Sequence, residues 1–210
     1  MLNKPYVTAL FPTLLHTLDM EGFNKEVLLD YVTKEQNKDP KGRSKSNSGG
    51  WQSDDTYNQF DNPVRQILQK NLNIIFATEL FHPELALSIL GTWINVNTRG
   101  DDNIDHIHSG CHLAGVFWIS VPENSGDLQL HSPHSFTCWE EYGWYRDEFK
   151  KELNSFTSYN VFPKEGRLVI FPSSLYHRVF PNESEDPRVS VSFNIQLGSN
   201  PAFWSGNDSK

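Results

Sequence analysis

Cysteine is scarce in this chain. Cys111 and Cys138 are its two cysteines, too few for a disulfide framework, which predicts a reducing, cytoplasmic setting. Positive charge is also in deficit. Eighteen Lys and Arg stand against 26 Asp and Glu, leaving a formal net charge of −8. No basic stripe is present, so nucleic acid is not an expected partner, and the negative charge reads as solubility. No run approaches the ~20 apolar residues needed to span a bilayer, and no basic start leads into an apolar export segment. Neither a membrane partner nor export is expected.

Large apolar side chains are what the chain does have. Aromatics make up 13% of its 210 residues, with six Trp and fourteen Phe, a supply suited to a β-rich core. The length fits one domain over 1–210, with an N-terminal helical support over 1–84 and a β core over 85–198. Residues 5–15 read as a short strand with an apolar lead-in. Phe23, Val27, Leu28, Tyr31 and Val32 then recur at helical spacing, with Asp19 as the expected cap. A second helix begins at Asn62 as cap and Pro63 as first residue, with Val64, Ile67, Leu68 and Leu72 on one face. Between the helices, residues 36–62 are polar and rich in Gly, Ser and Asn. They read as a long mobile loop that closes over a site.

From residue 85 onward the texture is strand-like. LALSILGTWINVN, LAGVFWISV, GDLQLH, GRLVIFP and RVSVSFNIQL are rich in β-branched and aromatic residues, and turn signals such as PENSG and PNESEDP separate them. One polar, aromatic segment, residues 139–153, reads as a helix. The expected class is mainly β within an α+β arrangement, a sandwich or barrel.

The histidines cluster. His106, His108, His112, His131 and His134 lie within 29 residues, and His177 follows in a strand-and-turn stretch. A His-x-His pair on a strand points both rings to one face, and one distant His adds a third ligand to a single ion. Idle surface histidines are equally common. Arg188 follows His177 by eleven residues and shares a strand face with Ser190. A guanidinium helped by a hydroxyl suits the far carboxylate of a dicarboxylate ligand. The plainer account of Arg188 is a strand-edge salt bridge with Glu185 or Asp186. His112 fits a place behind the pair or simple packing, and His131 and His134 flank a turn where substrate contact and solvated loop are equally open. Cys111 reads as a space-filler beside the site. Trp139, Trp144 and Tyr145 read as a cap on the sheet.

WINVNTRGDDNIDHIHSGCHLAGVFWISVP, SGDLQLHSPH and EGRLVIFPSSLYHRVFPNESEDPRVSVSFN together resemble the iron(II)/2-oxoglutarate-dependent oxygenase superfamily, and within it a bacterial and phage group of 2OG-Fe(II) oxygenases. The resemblance covers about residues 90–197. It implies a double-stranded β-helix (jelly roll) with N-terminal helices packed on its major sheet. It further implies iron(II), 2-oxoglutarate and O2 as cofactor and co-substrates, and hydroxylation of a C–H bond in a small-molecule or peptidyl substrate with release of succinate and CO2. His106, His108 and His177 would surround the metal, Arg188 and Ser190 would hold the remote carboxylate of 2-oxoglutarate, and Asn95 and Asn97 would contact co-substrate or substrate. Most of the superfamily carries Asp or Glu where this chain has His108. Three arrangements therefore stay open: three histidines, completion of the site by Asp105 or Asp127, or binding by His108 and His177 alone. Two other classes compete. A cupin-like three-histidine metalloenzyme leaves Arg188 and Ser190 without a task, and a non-catalytic jelly-roll binding module needs no convergent histidines.

Overall fold

Alternating strand residues have two faces to bury, and the computed structural model answers this with two antiparallel sheets packed face to face. It describes residues 10–20, 22–59, 62–76, 81–82, 84–134 and 143–199. The described elements are β1 (His16–Asp19), α1 (Lys25–Lys38), β2 (Asn47–Ser48), β3 (Trp51–Gln52), α2 (Pro63–Phe76), β4 (Leu85–Asn97) and β5 (Asp102–His106). They continue with β6 (Leu113–Ser120), β7 (Leu128–His131), α3 (Asp147–Glu152), β8 (Ser158–Val161), β9 (Arg167–Pro172), β10 (His177–Val179) and β11 (Arg188–Ser199). The major sheet runs β1-β9-β6-β11-β4-β3 and the minor sheet β2-β5-β10-β7-β8. This is the expected mainly β jelly roll.

The central strand β11 shows why the layers form. Val189, Val191, Phe193 and Ile195 point outward and share one buried cluster with Leu28 and Val32 of α1 and Val64, Leu68 and Leu72 of α2. Fully burying each such side chain stabilises the fold by about 1.5–3 kcal/mol. Gly115 of β6 makes room for this packing, since a Cβ there would meet the Phe193 ring at 2.3 Å. The intervening residues Arg188, Ser190, Ser192 and Asn194 turn toward the minor sheet. A second cluster, including Trp118, Leu128, Leu130 and Phe171, fills the space between the sheets.

Local signals set several boundaries. Asn62 caps α2 as expected, its Oδ1 accepting from Val64 N at 2.9 Å and Arg65 N at 3.3 Å. The cap of α1 is Asn24, whose Oδ1 accepts from Val27 N, and not Asp19. Asp19 instead ends β1, where hydrogen bonds from Arg167 and Lys164 hold its carboxyl well below the usual carboxylate range. The first described strand lies at His16–Asp19, after the expected 5–15, and residues 5–9 fall outside the described residues. The helix expected over 139–153 is described only as α3. Cys138 and Trp139 lie outside the described residues.

The segment 36–62, expected as a loop, carries regular structure where it is described. α1 extends to Lys38, and the polar segment beyond it straps one side of the sandwich. β2 pairs with β5 of the minor sheet, and β3 pairs with β4 of the major sheet. Gln52, Ser53, Thr56 and Asn62 are buried. Ser53 and Thr56 meet partners on β4: Ser53 N donates to Ile94 O (3.0 Å), Ile94 N donates to Ser53 Oγ (2.9 Å), and the Thr56 and Thr92 hydroxyls lie 2.9 Å apart, while Gln52 Oε1 has no hydrogen-bond partner among the described residues. Polar composition did not keep these residues out of the interior, because two strand edges offered hydrogen bonds. Among the described residues no helix is long and apolar enough to cross a membrane.

Candidate active site

β5 ends and β10 begins at one end of the minor sheet, and the antiparallel register sets His177 opposite His106. His108 stands two residues beyond β5, where its N–H donates to Ser173 O at 2.9 Å. Candidate ligand atoms of the three rings all lie within 4.8 Å of one another. His177 is buried, and His106 and His108 are partly so.

Each ring is fixed through Nδ1. His106 Nδ1 lies 2.7 Å from Ile104 O, His177 Nδ1 lies 2.8 Å from Leu175 O, and His108 Nδ1 lies 2.6 Å from Asn194 Oδ1. A nitrogen facing an oxygen acceptor carries the proton, which leaves Nε2 with its lone pair. His106 Nε2 and His108 Nε2 then sit 3.3 Å apart. Lone pairs this close repel unless a cation lies between them. Burial pushes His177 down to about 3, helped by its His106 neighbour, and burial also lowers His106 and His108. Three neutral imidazoles with convergent lone pairs fit a divalent transition metal such as iron(II), with coordination positions to spare.

Arg188 lines the same cleft, with Ser190 and Asn95. It is 1% exposed. Nη1 donates to three backbone carbonyls, those of Ser125, Gly126 and Phe180. Nη2 is buried without a hydrogen-bond partner among the described residues. Leaving a buried donor unpaired costs about 1–3 kcal/mol, more when charged, so the group fits a ligand that supplies an acceptor. Burial pushes the guanidinium down to about 10, with Asp101, Asp102 and Asp127 acting in the opposite direction, and it stays cationic at neutral pH. The strand-edge salt bridge is not made: Glu185 pairs with Arg99, and Arg188 forms no ion pair among the described residues.

Other candidates separate from the cluster. Asp105 points to the opposite face of β5, its Oδ1 2.7 Å from His131 Nε2 and its Oδ2 3.8 Å from Arg178. Asp127 accepts from Asn160 at 3.4 Å, and burial raises its carboxyl. Neither belongs to the three-histidine group. Asn95 Nδ2 donates to Ser192 Oγ at 3.0 Å. Asn97 is buried but does not line the cleft. His112 Nδ1 accepts from Leu197 N at 3.0 Å. The Cys111 thiol is pushed up by burial, in keeping with a filler.

Sequence reasoning overlooked three contributors. Asn194 holds His108. The Trp93 ring lies 5.5 Å from the His108 ring, and the Phe171 ring lies 4.9 Å from that of His177. The alternation that marked Arg188 and Ser190 also points to Asn194, four residues beyond Ser190 on one strand face.

Residues 91–194 match a family model described as "Putative 2OG-Fe(II) oxygenase". No curated protein matches the chain in sequence. Solved structures share its fold. A Pseudomonas putida prolyl-4-hydroxylase is 12% identical, with 89% of this chain and 94% of that one covered and a TM-score of 0.55. A Trichoplax adhaerens prolyl hydroxylase, in complex with a hypoxia inducible factor oxygen degradation domain peptide fragment, is 11% identical over 92% and 87% of the two chains, with a TM-score of 0.60. HygX from Streptomyces hygroscopicus, with nickel and 2-oxoglutarate bound, is 12% identical over 88% and 83%, with a TM-score of 0.55. Through residues 91–194, which carry all three histidines and Arg188, the chain belongs to the 2OG-Fe(II) oxygenase family, whose enzymes use iron(II), 2-oxoglutarate and O2.

Proposed function

We propose that this oxygenase hydroxylates an unactivated C–H bond of a small-molecule or peptidyl substrate with release of succinate and CO2. In this reading His106, His108 and His177 hold the iron, Arg188 and Ser190 hold the remote carboxylate of 2-oxoglutarate, and Asn95 lines the wall beside it. The observation that carries it is the buried, unpartnered Nη2 of Arg188 in the cleft that the three histidines line. A cupin-like enzyme without 2-oxoglutarate gives that nitrogen no partner. Neighbours of known structure include one solved with a peptide, which supports a peptidyl substrate, and one solved with 2-oxoglutarate, which supports the co-substrate.

When bound, the iron couples O2 and the oxidative decarboxylation of 2-oxoglutarate to oxygen insertion into the substrate. The protein's own groups prepare that step. The Ile104 and Leu175 carbonyls and the Asn194 side chain keep each imidazole proton on Nδ1. Arg188 presents its free N–H groups to one carboxylate, which fixes the far end of the co-substrate and leaves its 2-oxo acid end to face the histidines. Trp93, Trp118 and Phe171 wall the cleft and restrict water. The low cysteine content favours the cytoplasm.

The test is a 2-oxoglutarate titration of the iron(II)-loaded, oxygen-free protein, read by the metal-to-ligand absorption band, followed by a substrate screen that measures succinate in air. The expected result is saturable binding, and succinate release that rises with a substrate. A protein that binds iron but neither binds 2-oxoglutarate nor forms succinate returns the site to the cupin-like class.

A further inference from the structure

We propose that Asn194 is the positioning residue for His108, the one member of the histidine cluster whose ring is aimed by a distant side chain. The inference rests on the three-histidine reading above and adds a residue to it. His106 and His177 each hydrogen-bond a carbonyl two residues earlier in their own segment, Ile104 O at 2.7 Å and Leu175 O at 2.8 Å. Those contacts are local and come with the backbone. His108 differs on each count. It lies beyond the last residue of β5, and the chain turns two residues later at Gly110, φ +79°. Its Nδ1 partner is Asn194 Oδ1, 2.6 Å away and 86 positions along the chain, on the opposite sheet.

A ring just past a strand end has two open choices, its rotamer and its tautomer. Asn194 decides both, because an acceptor beside Nδ1 keeps the proton there and turns Nε2 toward His106. Trp93, 5.5 Å from the ring, limits rotation but offers no acceptor to His108. Asn194 shares its strand face with Arg188, Ser190 and Ser192. One face of β11 thus aims a metal ligand at one end and offers a carboxylate anchor at the other.

Two readouts test this. In the metal-free protein, 15N–1H NMR of the histidine rings, with His108 assigned by its loss in His108→Ala, reports the tautomer. Cobalt(II) titration reports the affinity. The parent should show His108 protonated at Nδ1. Asn194→Leu should give a mixed tautomer at His108 while His106 and His177 stay unchanged, and cobalt(II) affinity should fall about 10–100-fold. Asn194→Asp restores an acceptor and should recover both signals; if the Leu variant does not fold, Asn194→Ser, with its shorter reach, takes its place. A Leu or Ser variant with the parent's His108 tautomer and cobalt affinity within about twofold overturns the role of Asn194. A parent that takes up no cobalt(II) or iron(II) overturns the three-histidine reading itself, a failure visible without any variant.

Discussion

His177 lies directly across the β5–β10 ladder from His106. Side chains of directly opposed residues share one face of a sheet, so this register alone brings together two imidazoles 71 residues apart in sequence. A slip of one residue would send one ring to the outer face, where Asp105 already points. The candidate metal site therefore depends on the pairing of a three-residue strand.

His177→Ala should remove most metal affinity. Loss of an orienting partner alone typically costs 10–100-fold, and loss of a ligand should exceed that. Anaerobic iron(II) titration checks it, and parent-like binding by the variant would exclude His177 as a ligand.

Arg188→Ala should weaken 2-oxoglutarate binding by tens to thousands of fold, from about 2–5 kcal/mol at about 1.4 kcal/mol per decade. Iron binding should change little. Arg188→Lys should recover only part, because an ammonium cannot form the two-pronged contact. Calorimetric 2-oxoglutarate titration of the iron-loaded variants decides the matter.

Gly126→Ala should produce a milder form of the same defect without altering a charge. Gly126 has φ +83°, and a Cβ there would meet Phe180 O at 2.2 Å. Both residues supply carbonyls to Arg188. The loop must shift, with an expected stability loss of about 1 kcal/mol or more and weaker 2-oxoglutarate binding. Urea unfolding and calorimetry measure the two effects.

The metal-free protein should lose stability in mild acid. His177 has an ordinary value of 6.5 that burial pushes down to about 3 in the folded state. Between those values the unfolded chain binds a proton that the folded chain does not, so stability is present above 6.5 and declines as pH falls toward 3. His106 and His108 shift in the same direction. Urea midpoints measured from pH 7 to 4 should fall more steeply for the parent than for His177→Gln. Parallel slopes would remove His177 from the account.

Ser53→Ala should destabilise the strap. The variant leaves Ile94 N–H without its acceptor in a buried setting, at a cost of about 1–3 kcal/mol. Limited proteolysis should cut residues 39–59 of the parent no faster than β4, and faster in the variant. Preferential cutting of the parent strap would restore the mobile-loop expectation.

Sequence alone determined the features whose causes are local or periodic. Asn62-Pro63 wrote the start of α2, because a cap and a missing N–H act within one turn. The Arg-Val-Ser-Val-Ser-Phe-Asn-Ile alternation of β11 assigned one face to the core and one to the cleft, because successive strand side chains point to opposite sides. Those patterns, with His106, His108, His177 and Arg188, made the jelly roll and the family legible. Tertiary structure decided the rest. β10 spans three residues, too few to show a period, and its place is set by β5 and β7 on either side. The strap is polar, yet its Ser53 and Thr56 are buried, because β4 supplies the hydrogen bonds that composition alone assigns to water. Arg188 avoids Glu185 and Asp186 because the carbonyls of Ser125, Gly126 and Phe180 enclose its Nη1. Which acceptor aims His108 was likewise settled by β11 crossing behind it, a contact between residues 86 positions apart that no local signal encodes.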